Sequence, residues 1–167
     1  ISIPIGARKL FQYGLYDWCD LSEPELELNN RQMEIRHGKV VGGGSSTNFL
    51  AHVRGHPRDY DRWAAAGARG WSYAEVLPFF KACETWASGA NHWRGGAGPL
   101  GAEIGECTDP MQQAWLEAAR TKGYATTADY NGAQSEGFGV GQYSVKNGAR
   151  SSSAEAFLKP ARRRPNL

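Results

Sequence analysis

Between Gly38 and Asn48 the chain reads Gly38-Lys39-Val40-Val41-Gly42-Gly43-Gly44-Ser45-Ser46-Thr47-Asn48, three glycines followed by three hydroxyls and a carboxamide. Backbone without side chains can approach a ligand closely, and successive N–H groups can converge on an anion. That chemistry suits the phosphates of nucleotides and dinucleotide cofactors, and Arg36 and Lys39 add positive charge just upstream. The register excludes the two common nucleotide loops. The NTPase loop needs GxxxxGK[ST], and no lysine follows these glycines. The dinucleotide fingerprint needs GxGxxG between a strand and a helix, which Gly42 to Thr47 does not fit. Taken alone, the stretch reads more readily as a structural glycine turn.

Other residues with chemical potential are dispersed. Cys19, Cys83 and Cys107 are odd in number and in no CxxC or Cys/His spacing, which argues against a disulfide framework or zinc site and suits a reducing, cytoplasmic compartment. The formal charge of +2 is too small to imply a polyanionic partner. Arg162-Arg163-Arg164 lacks the aromatic platform that single-stranded nucleic acid needs and reads as a solvated helix end. No apolar run reaches the ~20 residues that span a membrane. The composition, 41% hydrophobic with 21 glycines and six tryptophans in 167 residues, is that of an ordered globular chain.

The elements that must position the loop are short. The first 35 residues read as irregular, with Asn29-Asn30-Arg31 turning between two short strands. After the loop, Asn48 to Val53 is expected to be a short helix or an extended run, and Tyr60 to Ala66 to form one or two helical turns. Ser72-Tyr73-Ala74-Glu75 is a capping box that opens a helix to about Thr85, with Val76, Phe79, Phe80 and Cys83 on its apolar face. Gly95 to Ile104 reads as glycine-rich, then strand. Asp109-Pro110 starts a helix to Thr121 with Met111, Trp115, Ala118 and Ala119 as its inner stripe, ended by Gly123. Phe138 to Val145 alternates like a strand, and Ser151 or Ser152 caps a last helix that Pro160 stops.

Beyond the loop, further motifs follow in order: Val53-Arg54-Gly55-His56-Pro57-Arg58-Asp59-Tyr60-Asp61-Arg62-Trp63, Gly70-Trp71-Ser72-Tyr73, Gly98-Pro99-Leu100, Asp129-Tyr130-Asn131-Gly132, Gly137-Phe138-Gly139, and Asn147-Gly148-Ala149-Arg150 running into Ala156-Phe157-Leu158-Lys159-Pro160-Ala161 and Pro165-Asn166-Leu167. Together with the loop they resemble the glucose–methanol–choline family of flavin-dependent oxidoreductases over nearly the whole chain. The resemblance implies an α/β fold (α+β in this piece), part of a Rossmann-like FAD-binding domain plus part of a substrate-binding domain. It divides the chain into an FAD-binding segment (1–70), a mainly helical and loop part flanking the substrate domain (71–145) and a return toward the domain boundary (146–167). Family members begin with a strand–GxGxxG–helix unit and end with a histidine segment that supplies the catalytic base. Neither occurs here, so an internal piece of such an enzyme is expected, with the remaining segments, in the same or another chain, as its partners.

The resemblance also implies roles. Val41, Gly42 and Gly43 pass the FAD pyrophosphate and ribityl chain. Ser45 and Ser46 donate hydroxyls there or cap the turn that follows. Asn48, Phe49, Leu50 and Ala51 lie along the isoalloxazine, where a donor stabilises negative charge as the ring accepts hydride, or Phe49 and Leu50 serve only as core. Lys39 and Arg36 offset the diphosphate or pair with nearby acids. Thr47 stands where some relatives carry a histidine bonded covalently to flavin, which implies noncovalent FAD. Thr47 and His52 depart from the family signature. None of His37, His52, His56 and His92 inherits the base, and this chain holds no catalytic residue. The implied activity is oxidation of a small-molecule alcohol to an aldehyde or ketone by hydride transfer to flavin N5. The alternatives are an FAD-containing lyase of the family, or a non-catalytic piece that only packs with a partner chain.

Overall fold

The structure, a computed structural model, describes residues 1–167. It mixes helices with short strands and divides into two compact units, one formed by Ile1–Leu50 with Val145–Leu167 and the other by Ala51–Ser144. The first break falls after Leu50, and His52 and Arg54 are bonded into the interior of the second unit.

Unit 1 contains helix α1 (Ala7–Gln12), the antiparallel pair β1 (Asp20–Leu21) and β2 (Glu34–Ile35), and the short helix α2 (Gly44–Thr47). α1 falls in a stretch expected to be irregular. It buries only Ala7 and Leu10, too thin an apolar stripe to show as periodicity. The turn between β1 and β2 is as expected, with Asn29 and Asn30 both left-handed, a conformation their short polar side chains tolerate.

Unit 2 opens with α3 (Pro57–Ala65), capped by His56, whose Nδ1 accepts from Arg58 N–H at 3.1 Å. Then comes α4 (Tyr73–Cys83), where Ser72 N–H donates to Glu75 Oε2 at 3.0 Å. The hydrogen bond from the Ser72 hydroxyl, and after it this backbone bond, lower the Glu75 carboxyl below its ordinary value. α4 stops at Cys83, short of Thr85, because Glu84 to Trp86 form strand β3. β3 pairs in parallel with β4 (Leu100–Ile104), which pairs antiparallel with β5 (Gln142–Tyr143). α5 (Pro110–Thr121) has the expected bounds, with Asp109 accepting from Met111 N–H at 2.7 Å.

The apolar stripes of these helices differ from expectation. Met111 is 77% exposed and Trp115 55%, Ala118 is also exposed, and only Ala119 of that set is buried. The Trp115 ring lies 4.7 Å from that of Phe138, tilted by 59°. On α4, Val76 is buried while Phe79 and Cys83 are exposed. The interior of unit 2 is instead polar.

Its centre is the pair Glu84–Arg94, 2% and 0% exposed. Arg94 grips the carboxylate in a fork, Nε to Oε1 and Nη2 to Oε2, both 2.9 Å. Arg54 Nη2 (2.9 Å), His52 Nε2 (2.9 Å) and Gly95 N–H (3.0 Å) complete the shell around Glu84. Arg94 Nη1 reaches Asp129 Oδ1 (2.7 Å) and Gln142 Oε1 (2.8 Å), and its guanidinium lies 3.7 Å from the Trp86 ring. The network thus joins the 52–54 segment, β3, the loop before β4, the 129–131 turn and β5.

After Ser144 the chain returns to unit 1 as the antiparallel pair β6 (Val145–Lys146) and β7 (Ala149–Arg150). A π-helical stretch (Ala154–Leu158) and α6 (Lys159–Ala161) follow. Ser152 Oγ accepts from Glu155 N–H at 3.3 Å, the expected cap. Pro160 does not stop the helix. It lies inside the continuous helical run, which ends one residue later at Ala161.

Burial opposes ionisation of Glu84 more than any other single influence, yet hydrogen bonds from His52, Arg94 and Gly95 with the charge of Arg54 outweigh it and hold the carboxyl at about 2, against an ordinary 4.5. A depressed carboxyl contributes stability in full above 4.5, and that contribution is lost as pH falls toward 2. Acid titration followed by circular dichroism should show stability falling across that window, and Glu84→Gln should flatten the fall. Removing one partner of a buried pair costs about 3–5 kcal/mol, so Arg94→Leu should destabilise unit 2 by that order in denaturant titration.

Candidate functional site

The Gly38–Asn48 stretch lies wholly in unit 1. Its backbone turns sharply at Gly42 (φ +94°) and at Gly43 (φ +53°, ψ −136°), conformations that L side chains rarely adopt. The two glycines have different reasons. A Cβ on Gly42 would overlap Ser46 Oγ and lie 3.1 Å from Ala154 Cβ, so close packing inside the unit excludes it. A Cβ on Gly43 meets no protein atom within 4 Å. Open space on that side leaves the backbone accessible to a ligand.

The serines hold the loop in shape. Ser46 is buried and its hydroxyl donates to Val41 O at 2.9 Å. Ser45 Oγ accepts from Ser153 N–H at 3.0 Å and also bonds Gly42 O, fastening the loop to the segment after β7. Gly43 N–H donates to Val40 O and Ser46 N–H to Gly43 O. The amides of Val41 and Gly42 donate to no protein acceptor. Two adjacent free N–H groups on a glycine turn are the kind of donors that anion sites use.

Beyond α2 the chain is extended rather than helical. Asn48 Oδ1 accepts from Leu50 N–H at 3.0 Å, and this closed turn holds buried Leu50 at φ +69°. A bulky left-handed residue costs about 1–2 kcal/mol, offset here by burial of the leucine side chain. Phe49 is exposed, its ring 5.0 Å from that of Phe11.

Two cavities flank the loop. One, of about 400 Å³, is lined by Val40, Val41, Ser46, Arg150, Ala154 and Arg162 among others. That is within the range of small-molecule sites. The second, of about 210 Å³, is lined by Arg36, Gly44, Thr47, Asn48 and Phe49 with residues of α1. Neither wall carries a histidine, cysteine or tyrosine.

Of the residues picked out from the sequence, Val41, Gly42, Gly43, Ser46, Asn48, Phe49 and Leu50 are brought together in unit 1. Ala51 opens unit 2, bridged to Tyr143. Lys39 turns its ammonium onto the Trp18 ring at 4.5 Å, away from any acid. Arg36 pairs with Glu34, the surface alternative, yet keeps its Nε unbonded beside the smaller cavity. His37 bonds Asp20 at 3.2 Å, His52 is part of the Glu84 shell, His56 caps α3 and His92 packs on Trp93. All three cysteines are unpaired.

The residue whose role sequence reasoning missed is Arg150. It was visible in Asn147-Gly148-Ala149-Arg150, but nothing in the spacing shows where its guanidinium goes. It is 3% exposed. Nη1 donates to Asn48 Oδ1 (2.7 Å) and Ser45 O (3.0 Å), Nη2 to Asn48 O (2.7 Å) and Nε to Ile1 O (3.2 Å). Every acceptor is a neutral oxygen, and the one carboxylate on the larger cavity, Glu155, pairs with Lys159. Burial lowers its pKa below the ordinary value, and an arginine remains charged at neutral pH.

A diphosphate fits this arrangement: free amides at Val41 and Gly42, open space at Gly43, and Val41 on the same cavity as the buried Arg150 cation. The family model for GMC oxidoreductase matches residues 8–167. The chain is 49% identical over 152 residues to an oxygen-dependent choline dehydrogenase of Rhizobium johnstonii, covering 91% of this chain and 28% of that protein. It is 48% identical over 167 residues to one of Sinorhizobium fredii, covering 100% and 30%. Among solved structures it superposes on pyridoxine 4-oxidase from Mesorbium loti with a TM-score of 0.89 at 30% identity, covering 99% of this chain and 33% of that one. It superposes on an FAD-dependent oxidoreductase from Chaetomium thermophilum with a TM-score of 0.83 at 30% identity, covering 99% and 30%. The chain therefore spans about 30% of the length of the curated relatives it matches.

The two glycines can be separated by mutation. Gly43→Ala should cost only the about 1–3 kcal/mol of a side chain held in a sparsely populated backbone conformation. Gly42→Ala should cost that and about 1–3 kcal/mol more for overpacking against Ser46 and Ala154. Denaturant unfolding of both variants checks this, and equal losses would contradict the assigned packing.

Proposed function

Because the chain belongs to the GMC oxidoreductase family, we propose that it forms one wall of a noncovalent FAD site in an enzyme that oxidises a small-molecule alcohol to an aldehyde or ketone. The observation that carries this reading is the loop itself, with unbonded amides at Val41 and Gly42 and with Val41 on the cavity of the buried Arg150 cation. Bound FAD supplies the hydride acceptor. Val41 and Gly42 donate N–H groups to the pyrophosphate, and Gly43 leaves room for it. Ser46 keeps Val41 in place through its carbonyl. Asn48 presents its amide NH₂ to the polar edge of the ring, where a fixed donor favours the charge that builds during transfer. Phe49 and Leu50 give that region an apolar floor, and Ala51 follows at the start of unit 2. Lys39 raises the local positive potential.

Noncovalent binding is supported by Thr47, whose hydroxyl replaces the nucleophilic ring of covalently linked relatives, and by cavity walls free of His, Cys and Tyr. The dinucleotide-binding GxGxxG unit and the catalytic base are assigned to segments outside these 167 residues, in the same or another chain. Exposed Ile3, Ile5, Tyr16 and Trp18 on unit 1 provide apolar surface for such segments. No helix is long and apolar enough to cross a membrane, and the unpaired thiols favour the cytoplasm as the proposed compartment. The relatives about half identical to this chain are choline dehydrogenases, which makes choline the first alcohol to test.

Acid precipitation of the purified flavoprotein should leave the yellow colour in the supernatant, and anaerobic addition of choline should bleach the visible absorbance. Colour retained in the pellet would contradict noncovalent binding. A spectrum unchanged by choline and by other primary alcohols would contradict alcohol oxidation.

A further inference from the structure

Asn48 is exposed, yet its carboxamide is not free to flip. Its Oδ1 receives two N–H donors, Leu50 N at 3.0 Å and Arg150 Nη1 at 2.7 Å. Reversing the amide would place NH₂ against both donors and lose both bonds. Oxygen therefore faces inward and the NH₂ outward, where it has no protein acceptor. Leu50 N–H alone cannot secure this, because a single bond to an exposed side chain is easily exchanged for water. The second donor comes from a guanidinium that is itself immobilised. Its remaining bonds go to Ser45 O, Asn48 O and Ile1 O, while its own backbone N–H donates to Ser2 O at 2.8 Å. The fork also spans α2, holding the Ser45 and Asn48 carbonyls that the end of a helix leaves without intrahelical partners.

We propose that Arg150 is a positioning residue: it locks the Asn48 carboxamide with its donor end outward and thereby sets how readily the bound flavin accepts negative charge. This rests on the reading above that places Asn48 at the flavin. Arg150 touches neither flavin nor substrate in this role. It acts through Asn48, and the geometry of its fork is what matters, more than its charge. A lysine would retain the charge but present a single ammonium that cannot hold Asn48 Oδ1, Asn48 O and Ser45 O together.

The test is a double-mutant cycle in the flavin-loaded protein. The flavin midpoint potential is measured by reductive titration, and thermal unfolding alongside it, for Asn48→Ala, Arg150→Lys and the double variant. Both single variants should shift the potential to more negative values, and the double variant should shift it no further than Asn48→Ala alone. Additive shifts would show that Arg150 acts on the flavin without Asn48 and would overturn the proposal. So would an Arg150→Lys protein with a lowered Tm and an unchanged potential, which is the signature of a scaffold residue. If neither Arg150→Lys nor Arg150→Gln can be obtained folded with flavin, the residue is structural and the proposal is likewise overturned. An Asn48→Ala protein with the wild-type potential would instead remove Asn48 from the flavin, and the proposal would fall with that reading.

Discussion

A buried cation held only by neutral oxygens is the constraint on which unit 1 depends. Taking a guanidinium out of water costs several kcal/mol, and Arg150 has no carboxylate to offset that. Carbonyl and amide oxygens from three separate places in the sequence do so instead: Ile1, Ser45 and Asn48. The unit has little regular structure to do the same work, with two-residue strand pairs and short helices. The start of the chain, the glycine loop and β7 are therefore fixed to one another by a side chain. The Ser45–Ser153 bonds add a second tie between the loop and the segment after β7.

The same logic with opposite electrostatics organises unit 2. There the buried charges are paired, Glu84 against Arg94, Arg54 and His52. The pair is satisfied on nearly every side, which keeps a polar interior tolerable where an incomplete network would not be. The contrast is informative. Unit 2 neutralises its interior, whereas unit 1 leaves a positive charge beside a cavity and two amides without acceptors. Uncompensated polar groups of that kind are what a diphosphate-binding wall requires, and a purely structural turn has no use for them.

Local signals were legible in the sequence and long-range ones were not. The ends of α5 followed from Asp109-Pro110 and Gly123, and the start of α4 from Ser72 and Glu75, because caps act within a turn of the chain. The glycine loop was legible as a sharp turn, and the order of motifs around it gave the family. The faces of α4 and α5 were misjudged because periodicity shows which residues share a face but not whether anything covers it. Phe79 and Met111 face outward in this chain. The Glu84 network draws on residues 52, 54, 94, 95, 129 and 142, whose separations carry no pattern. Arg150 was hidden for the same reason: its partners lie at residues 1, 45 and 48. Gly42 was legible as a required glycine, but its cause is the approach of Ser46 and Ala154 rather than of a ligand.

The free amides of the loop are the point at which this fold meets its proposed cofactor. A crystal structure of the flavoprotein with FAD bound addresses them most directly. The pyrophosphate should lie against the loop, its oxygens within hydrogen-bonding distance of the Val41 and Gly42 N–H groups, with Arg150 still bonded to Asn48. A pyrophosphate bound elsewhere, with those two amides facing solvent or another protein segment, would contradict the assignment.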